Sequence, residues 1–378
     1  MKKTLIALAV TAMISATANA TVIYEKEGTK IDLDGRMHFE LRNDSEQRND
    51  LRDIGSRVRV RAYQDVGAGF KVFGGAELRF SHGNGSASAI GGNLRTHRLF
   101  AGVSQKDVGT LTFGRQLNLG DHIPKANYTY DGGGNILFDG HKKAAAFMSV
   151  PFYGVRFAAD YYFGNANKAN NASSTNSGTA DKPAKTNGDE GQGYGVGLFY
   201  DNTFGDFAVR FGSGYSEVTQ SMDGKKAQEY KLKRGGVGFD VKYNNLVTLG
   251  FDWAFGKVSK SNLNSGNLGF QKVAGAISYN GKPLALNSIN RYLLGIKVDV
   301  TQQNSIYGEY YLAKGKRADA SEKPLKMRGW MLGVDHRFNK NFVVYLEGGK
   351  GKVKQGGKVL NKDGKANHRV ALGARFLF

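Results

Sequence analysis

The sequence has no cysteine among its 378 residues and only five prolines. The absence of cysteine excludes a disulfide framework, thiolate metal sites and cysteine nucleophiles. After residue 20 no segment approaches the roughly 20 consecutive apolar residues that a membrane-spanning helix needs. The chain is therefore neither a disulfide-stabilised domain nor a helical membrane protein.

Acidic residues are also scarce, since the sequence has 33 of them and 53 basic residues. The chain begins with Lys2 and Lys3, an apolar run from Leu5 to Ile14, and a small-residue site at Ala18 to Ala20. This order predicts a cleaved secretory signal peptide at residues 1–20 and a mature domain at residues 21–378. A basic chain in the cytosol would suggest nucleic acid as a partner, but export makes that partner unexpected.

The sequence does have many short alternating segments, and 52 glycines to turn between them. In Ser56 to Ala62, alternation places three arginines on one face of a strand and small apolar side chains on the other. These residues are Arg57, Arg59 and Arg61 against Val58, Val60 and Ala62. Taken alone, the stretch is equally compatible with a soluble sheet whose arginines face water.

About sixteen such segments follow one another, and their connections alternate between short turns and long polar loops. The longest loops are predicted at Gly164 to Gly193 and Lys257 to Asn287. This alternation is typical of an outer-membrane β-barrel, with all-β antiparallel strands and two unequal rims. About sixteen strands enclose an aqueous channel, so the arginines are expected in the lumen, because each would cost about 2–4 kcal/mol in mid-membrane lipid.

Several longer segments resemble a known family in order and spacing. They are Gly55 to Phe80, Gly109 to Gln116, Ser149 to Gly164, Ile306 to Gly315 and the last strand ending at Phe378. Together they resemble the Gram-negative general porins, in particular the major trimeric porins of the Haemophilus and Pasteurella group. The resemblance implies a homotrimer of sixteen-stranded barrels in the outer membrane, with a third loop that folds inward.

The same resemblance implies passive diffusion of small hydrophilic solutes and ions, without a cofactor. Implied partners are outer-membrane lipid, lipopolysaccharide and the barrel assembly machinery, which would recognise the terminal aromatic residues Phe376 and Phe378. Aromatic girdles are expected at both membrane rims. The girdle candidates are Tyr161, Phe163, Tyr243, Trp253, Tyr292, Phe338, Phe376 and Phe378.

In porins of this kind a basic wall faces acidic groups of the third loop at the constriction. Here the wall candidates are Arg36, Arg57, Arg59, Arg61, Arg79 and Arg115. The third loop, Leu117 to Lys143, offers Asp121, Asp131 and Asp139. Roles without influence on the channel are also possible from the sequence: the arginines could be solvated residues of the lumen face, and the aspartates could stabilise turns. Because acids are few, the sequence predicts a weak preference for anions.

Three alternative functions remain open. They are a channel that selects anionic nutrients such as nucleotides, a barrel that serves as an adhesin, and an outer-membrane enzyme. No serine or carboxylate pair has an evident base partner, and the seven histidines lack metal-ligand spacing. The lysines of Lys350 to Lys365 are expected on an external loop, where they would mainly bias the access of ions.

Overall fold

The computed structural model describes residues 20–45, 47–81, 90–130, 132, 134–164, 192–221, 229–259, 286–317, 321–361 and 364–378. All but the last residue of the predicted signal peptide lie outside this range. Within it, no helix is long and apolar enough to cross a membrane.

The described chain is almost entirely β-strand. The strands of the first half are β1 (Thr21–Lys26), β2 (Thr29–Asp44), β3 (Gln47–Asp53), β4 (Arg57–Gly67), β5 (Phe70–Ser81), β6 (Asn93–Gln105), β7 (Gly109–Leu117), β8 (Gly140–Ser149), β9 (Val155–Tyr162) and β10 (Gln192–Phe204). Those of the second half are β11 (Phe207–Ser221), β12 (Glu229–Tyr243), β13 (Val247–Ser259), β14 (Ser288–Asp299), β15 (Asn304–Lys316), β16 (Leu325–Asn339), β17 (Phe342–Gln355), β18 (Lys358–Val359) and β19 (Asn367–Leu377). One short helix, α1 (Leu119–His122), follows β7.

The strands close into one antiparallel barrel. Strand β2 pairs with β4 along one edge and with β19 along the other, which joins the two ends of the sheet. Strands β3 and β4 both pair with β2 and together form a single wall strand, interrupted at residues 54–56. With β1 and β18 as short additions, the wall has sixteen strands, and the predicted strand number is confirmed.

The two rims differ as the sequence predicts. One rim, here called the turn rim, has short connections such as residues 68–69, 106–108, 205–206 and 244–246. The opposite rim, here called the loop rim, has the long connections, including the one between β9 and β10. In outer-membrane barrels the short turns are periplasmic and the long loops extracellular.

Side chains alternate between lumen and lipid along each strand. Val60 is 42% exposed on the outer face, whereas its neighbour Arg61 is buried inside the barrel, as predicted for this stretch. Six of the eight girdle candidates are exposed residues: Tyr161, Phe163, Tyr243, Tyr292, Phe338 and Phe376. A register slip of one residue would turn every one of these faces over, so the cost of placing charge in lipid sets the register.

The barrel closes at a tight seam between the carboxyl terminus and β2. The Gly35 amide donates to a main-chain oxygen of Phe378 at 2.8 Å, and the Phe378 amide donates to the Gly35 carbonyl oxygen at 3.2 Å. A Cβ at position 35 would lie 2.4 Å from the Phe378 ring and 2.6 Å from the Arg57 carbonyl oxygen. Only glycine therefore fits beside the last residue.

We expect Gly35→Val to lower the yield of closed barrel, because the added side chain must displace Phe378 or backbone. Overpacking of this kind costs about 1–3 kcal/mol. Heat-modifiable electrophoretic mobility of outer-membrane fractions measures the closed fraction. Gly74→Ala is the control, since its Cβ would sit at an ordinary 3.4 Å from the nearest atom. Equal yields from both variants would contradict the role assigned to the seam.

Candidate channel constriction

The connection between β7 and β8, residues 118–139, folds into the barrel instead of extending from the loop rim. It corresponds to the predicted third loop, and its first turn is α1. Leu119, Ile123 and Ala126 are buried against the inner wall. The prediction of an inward third loop is confirmed.

A row of wall carboxylates holds the third loop by its backbone. The amide of Leu119 donates to Asp160 at 2.8 Å. Asp252 accepts the amides of Lys125 and Ala126 at 2.6 and 3.1 Å. The acceptor row is completed by Glu309, which binds the amides of Tyr128 and Thr129, and Glu347, which binds that of Tyr130.

The acceptor row provides hydrogen-bond acceptors for the backbone amides of an irregular loop. Amides outside helices and sheets still need acceptors when they are buried, and hydrogen bonds to carboxylates contribute about 1.5–3 kcal/mol each. Four carboxylates on β9, β13, β15 and β17 accept six loop amides. The acceptor row thus fixes the path of the loop across the lumen.

Glycines of the wall allow the loop backbone to lie directly on the strands. A Cβ at Gly238 would be 2.0 Å from the Ile123 carbonyl oxygen, and one at Gly295 would be 2.1 Å from that of Ala126. At Gly250 the nearest atoms would be the Tyr128 hydroxyl at 2.5 Å and the Ala126 Cα at 2.7 Å. We call Gly238, Gly250 and Gly295, on β12, β13 and β14, the glycine groove.

The far part of the loop is fixed by an aromatic stack. The Tyr130 ring lies parallel to Tyr345 on β17, with 4.2 Å between ring centroids. The Tyr130 hydroxyl donates to Asp335 at 2.8 Å, and the Arg375 guanidinium lies 4.7 Å from the ring centroid. Tyr130 thereby brings the loop next to the positive charges of β19 and β2.

One side of the interior is dry. The loop residues Ile136, Leu137 and Phe138 belong to an apolar cluster with inward side chains of the wall. The wall members include Val218, Leu232, Val258, Ile289, Leu325, Met327 and Val353. Third-loop side chains therefore fill this side of the interior with apolar contacts, which the sequence did not predict.

The wet side is lined by an arginine wall on β2, β4, β5 and β6. Its members are Arg36, Arg57, Arg59, Arg61, Arg79 and Arg98. Glu77, only 1% exposed, contacts Arg57 at 3.3 Å, Arg79 at 2.6 Å and Arg98 at 3.3 Å.

Asp34 serves the other end of the arginine wall. Its two oxygens contact Arg59 at 2.5 Å and Arg61 at 2.6 Å. Arg36 instead donates to the carbonyl oxygens of Gly55 and Ile54 at 3.2 and 3.3 Å. In these contacts five guanidinium groups share two wall carboxylates, Asp34 and Glu77, and the sixth, that of Arg36, is held by backbone carbonyls alone. The arginine wall therefore leaves positive charge facing the lumen.

Arg98 is the member of this wall that sequence reasoning missed. Glu77 pairs with Arg98 and Leu78 with Thr96, so His97 is the extra residue of a β-bulge. Simple alternation would place Arg95 and Arg98 on opposite faces, whereas the bulge turns Arg98 inward beside Glu77. The spacing of Arg95 and Arg98, three residues apart, was the only sign of this bulge in the sequence. Strict alternation does not predict a bulge from it.

The three predicted loop acids have different positions. Asp121, in α1, is exposed, and the charges of Arg98, Arg79 and Arg57 act on it. Asp139 is also exposed and interacts with Arg234 on β12. Asp131 lies outside the described residues.

Other predicted positions differ in their surroundings. The register sets Arg115 opposite Leu99, whose side chain is 61% exposed, and the ion pairs of the arginine wall do not include Arg115. Of the predicted assembly signal, Phe376 is on the outer face and Phe378 is in the seam. The predicted start of the external loop at Lys350 was wrong, because strand β17 continues to Gln355.

Known proteins share this architecture. A family model described as Gram-negative porin matches residues 5–356. A major outer membrane protein of Pasteurella multocida strain Pm70 is 31% identical over 396 residues, covering all of both chains. Another Pasteurella multocida major outer membrane protein is 35% identical over 282 residues, covering 68% of this chain and 75% of that one.

Solved structures agree in fold. Salmonella typhi OmpF, in complex with daunomycin, has a TM-score of 0.65 at 16% identity, covering 95% of this chain and all of that one. The outer-membrane channel DcaP of Acinetobacter baumannii has a TM-score of 0.65 at 14% identity, with the same coverage. The trimer form of Vibrio cholerae OmpT, an outer membrane protein, has a TM-score of 0.64 at 16% identity, covering 93% of this chain and all of that one.

A closed sixteen-stranded barrel narrowed by an inward loop is the architecture of an outer-membrane channel. With a matching family model over most of its length, the chain belongs to the Gram-negative porin family. It is located in the outer membrane, and the resemblance to the Pasteurella group is confirmed by full-length relatives.

Proposed function

We propose that this porin is a water-filled channel for the passive diffusion of small hydrophilic solutes and ions, with a weak preference for anions. The observation that carries the proposal is the arginine wall, in which five of the six guanidinium groups share Asp34 and Glu77 and that of Arg36 binds only backbone carbonyls. Charges at the narrowest section act on every passing ion, since low-dielectric walls focus their field there. Asp121 offsets part of this charge, which is why the preference is weak.

The test is the zero-current potential of planar bilayers across a threefold KCl gradient. The combined variant Arg57→Ser, Arg59→Ser and Arg61→Ser is expected to shift the potential towards cation preference, because it removes three positive charges and leaves Asp34 without its two partners. The matched control removes three exposed lysines from the rims, Lys71, Lys106 and Lys323, and is expected to leave the potential nearly unchanged. A clearly cation-selective wild type, or a triple variant identical to it, would refute the proposal.

The remaining expectations from the sequence belong to this proposal. We infer cleavage of residues 1–20, insertion by the barrel assembly machinery, contact with outer-membrane lipid and lipopolysaccharide, and assembly as a homotrimer. The trimer form of a structural neighbour supports the last point. Crosslinking of outer-membrane fractions should give a threefold mass, and stepwise conductance separates a channel from an adhesin or an enzyme.

A further inference from the structure

A cavity of about 320 Å³ lies beside the third loop, on the side of the turn rim. The loop contributes Asp121 and Lys125 to its lining, and the wall contributes Arg156 and Arg210. Arg156 on β9 and Arg210 on β11 lie close to the short connections before these strands, which places the cavity between the constriction and the turn rim. It is here called the turn-side cavity, and its volume is in the range of small-molecule sites.

Two cations of the turn-side cavity have donors available to a solute. The Lys125 amine donates to the His122 carbonyl oxygen, and no carboxylate of the described chain lies within 4.0 Å of it. Arg210 binds Asp240 through Nε, at 2.9 Å, and through Nη2, and its Nη1 has no hydrogen-bond partner among the described residues. The Arg210 side chain is 54% exposed. Together Lys125 and Arg210 form a binding position for one anionic group.

The other charges of the cavity limit the solute to a single negative charge. Arg156 is already neutralised, because its Nη2 contacts Asp201. Asp121 is exposed in the lining, and Asp240 holds Arg210 from behind. Three carboxylates therefore accompany the three cations of this site. A second negative charge on the solute would be repelled by these carboxylates, so the site disfavours polyanions.

The lining also favours a hydroxylated solute over an aromatic one. Phe199 and Met148 belong to the lining, but they are only 2% and 5% exposed. The exposed lining residues are polar: Asp121, Asn127 and Arg210. The Asn127 amide both donates and accepts hydrogen bonds and the Asp121 carboxylate accepts them, which matches hydroxyl groups. The accessible groups of the cavity therefore suit a solute with one carboxylate and several hydroxyl groups.

We propose that the turn-side cavity is a binding subsite for monovalent sugar acids of the hexuronate class. The carboxylate of the solute accepts hydrogen bonds from Lys125 Nζ and Arg210 Nη1, and its hydroxyl groups bind Asn127 and Asp121. Zwitterionic amino acids fit less well, because their ammonium group would meet three cations. The inference rests on the proposed channel function, since the solute reaches the cavity through the lumen.

The test measures block of the single-channel current in planar bilayers at constant KCl, with glucuronate as the probe. Wild-type conductance should fall with rising glucuronate concentration and then saturate, because a bound solute obstructs the path beside the loop. Glucose lacks the carboxylate and acetate lacks the hydroxyl groups, so both should have much weaker effects at the same concentrations. These two probes separate recognition of a sugar acid from crowding of the lumen and from general anion binding.

Lys125→Met is expected to raise the half-blocking glucuronate concentration about tenfold, because it removes a charged donor. Methionine keeps an unbranched stem near Phe199, whose ring centroid is 5.9 Å from the Lys125 amine. The matched control is Lys297→Met on β14, which removes a lumen cation that does not line the cavity. The control should change the half-blocking concentration less than about twofold.

Equal block by glucose or acetate, unchanged block in Lys125→Met, or an equal loss in Lys297→Met would overturn the proposal. A wild type that conducts in steps but is not blocked by glucuronate would overturn the subsite alone, whereas the absence of stepwise conductance would refute the channel function and the subsite with it. If Lys125→Met does not assemble, Asn127→Ala decides, because this residue is exposed. It must raise the half-blocking concentration about threefold, and an unchanged value overturns the proposal.

Discussion

Replacing Gly295 by alanine is expected to displace the third loop from the wall and widen the channel. A Cβ there would lie 2.1 Å from the Ala126 carbonyl oxygen and 2.8 Å from the Tyr128 ring, so the loop backbone must move. Both loop amides next to this contact are held by the acceptor row, and their hydrogen bonds to Asp252 and Glu309 would lengthen or break. We expect a higher single-channel conductance and faster swelling of liposomes in larger sugars.

The matched control is Gly348→Ala on β17. Its Cβ would meet the nearest atom at an ordinary 3.5 Å, so conductance and swelling should equal those of wild type. The Gly295 variant should also unfold at a lower temperature, since overpacking costs about 1–3 kcal/mol. Wild-type conductance in Gly295→Ala would mean that the glycine groove does not position the loop.

The wall of the barrel could be predicted from the sequence because one rule applies to every strand. Lipid requires apolar side chains outside, and closure requires every strand to pair, so alternation and turn lengths specify strand number and register. The stretch around Arg59 followed this rule without exception, and its arginines lie where alternation places them.

The support of the third loop could not be predicted. Leu119 is 41 residues from its acceptor Asp160, and Tyr130 is 217 residues from Glu347. In the sequence, each of these carboxylates looks like any other polar residue on the lumen face of its strand. Only the closed barrel brings them to one side of the loop.

Local irregularity explains the other differences. The bulge at His97 reverses the phase of β6, so alternation could not assign Arg98 to the arginine wall. On β17, glycine and lysine alternate from Gly349 to Lys352, which has the composition of a loop although it is paired with β16 and β19. Outward lysines are unusual in barrels. The rule that the outer face of a strand is apolar therefore assigned these lysines to a loop instead of a strand.

Glu77→Gln is expected to make the channel clearly anion-selective. Glu77 is the one carboxylate that Arg57, Arg79 and Arg98 share in the described ion pairs. Glutamine keeps the shape of the glutamate side chain and removes the negative charge. The net charge of the arginine wall then rises by one at the level where the lumen is narrow. The zero-current potential should move opposite in sign to that of the triple arginine variant, so the two variants test one electrostatic cause from both directions.

Stability should fall in the same variant, because three guanidinium groups would lose their counter-charge. Removing one partner of a buried ion pair costs about 3–5 kcal/mol, and these arginines keep some contact with water, which favours the lower end. Glu217→Gln is the control, since the described ion pairs of Glu217 are with the outward lysines Lys231 and Lys233, and the variant should leave the potential unchanged. If Glu77→Gln does not assemble, Asp34→Asn removes the other wall carboxylate and should shift the potential in the same direction. A potential that does not respond to either variant would show that the arginine wall is a solvated surface without influence on ion preference.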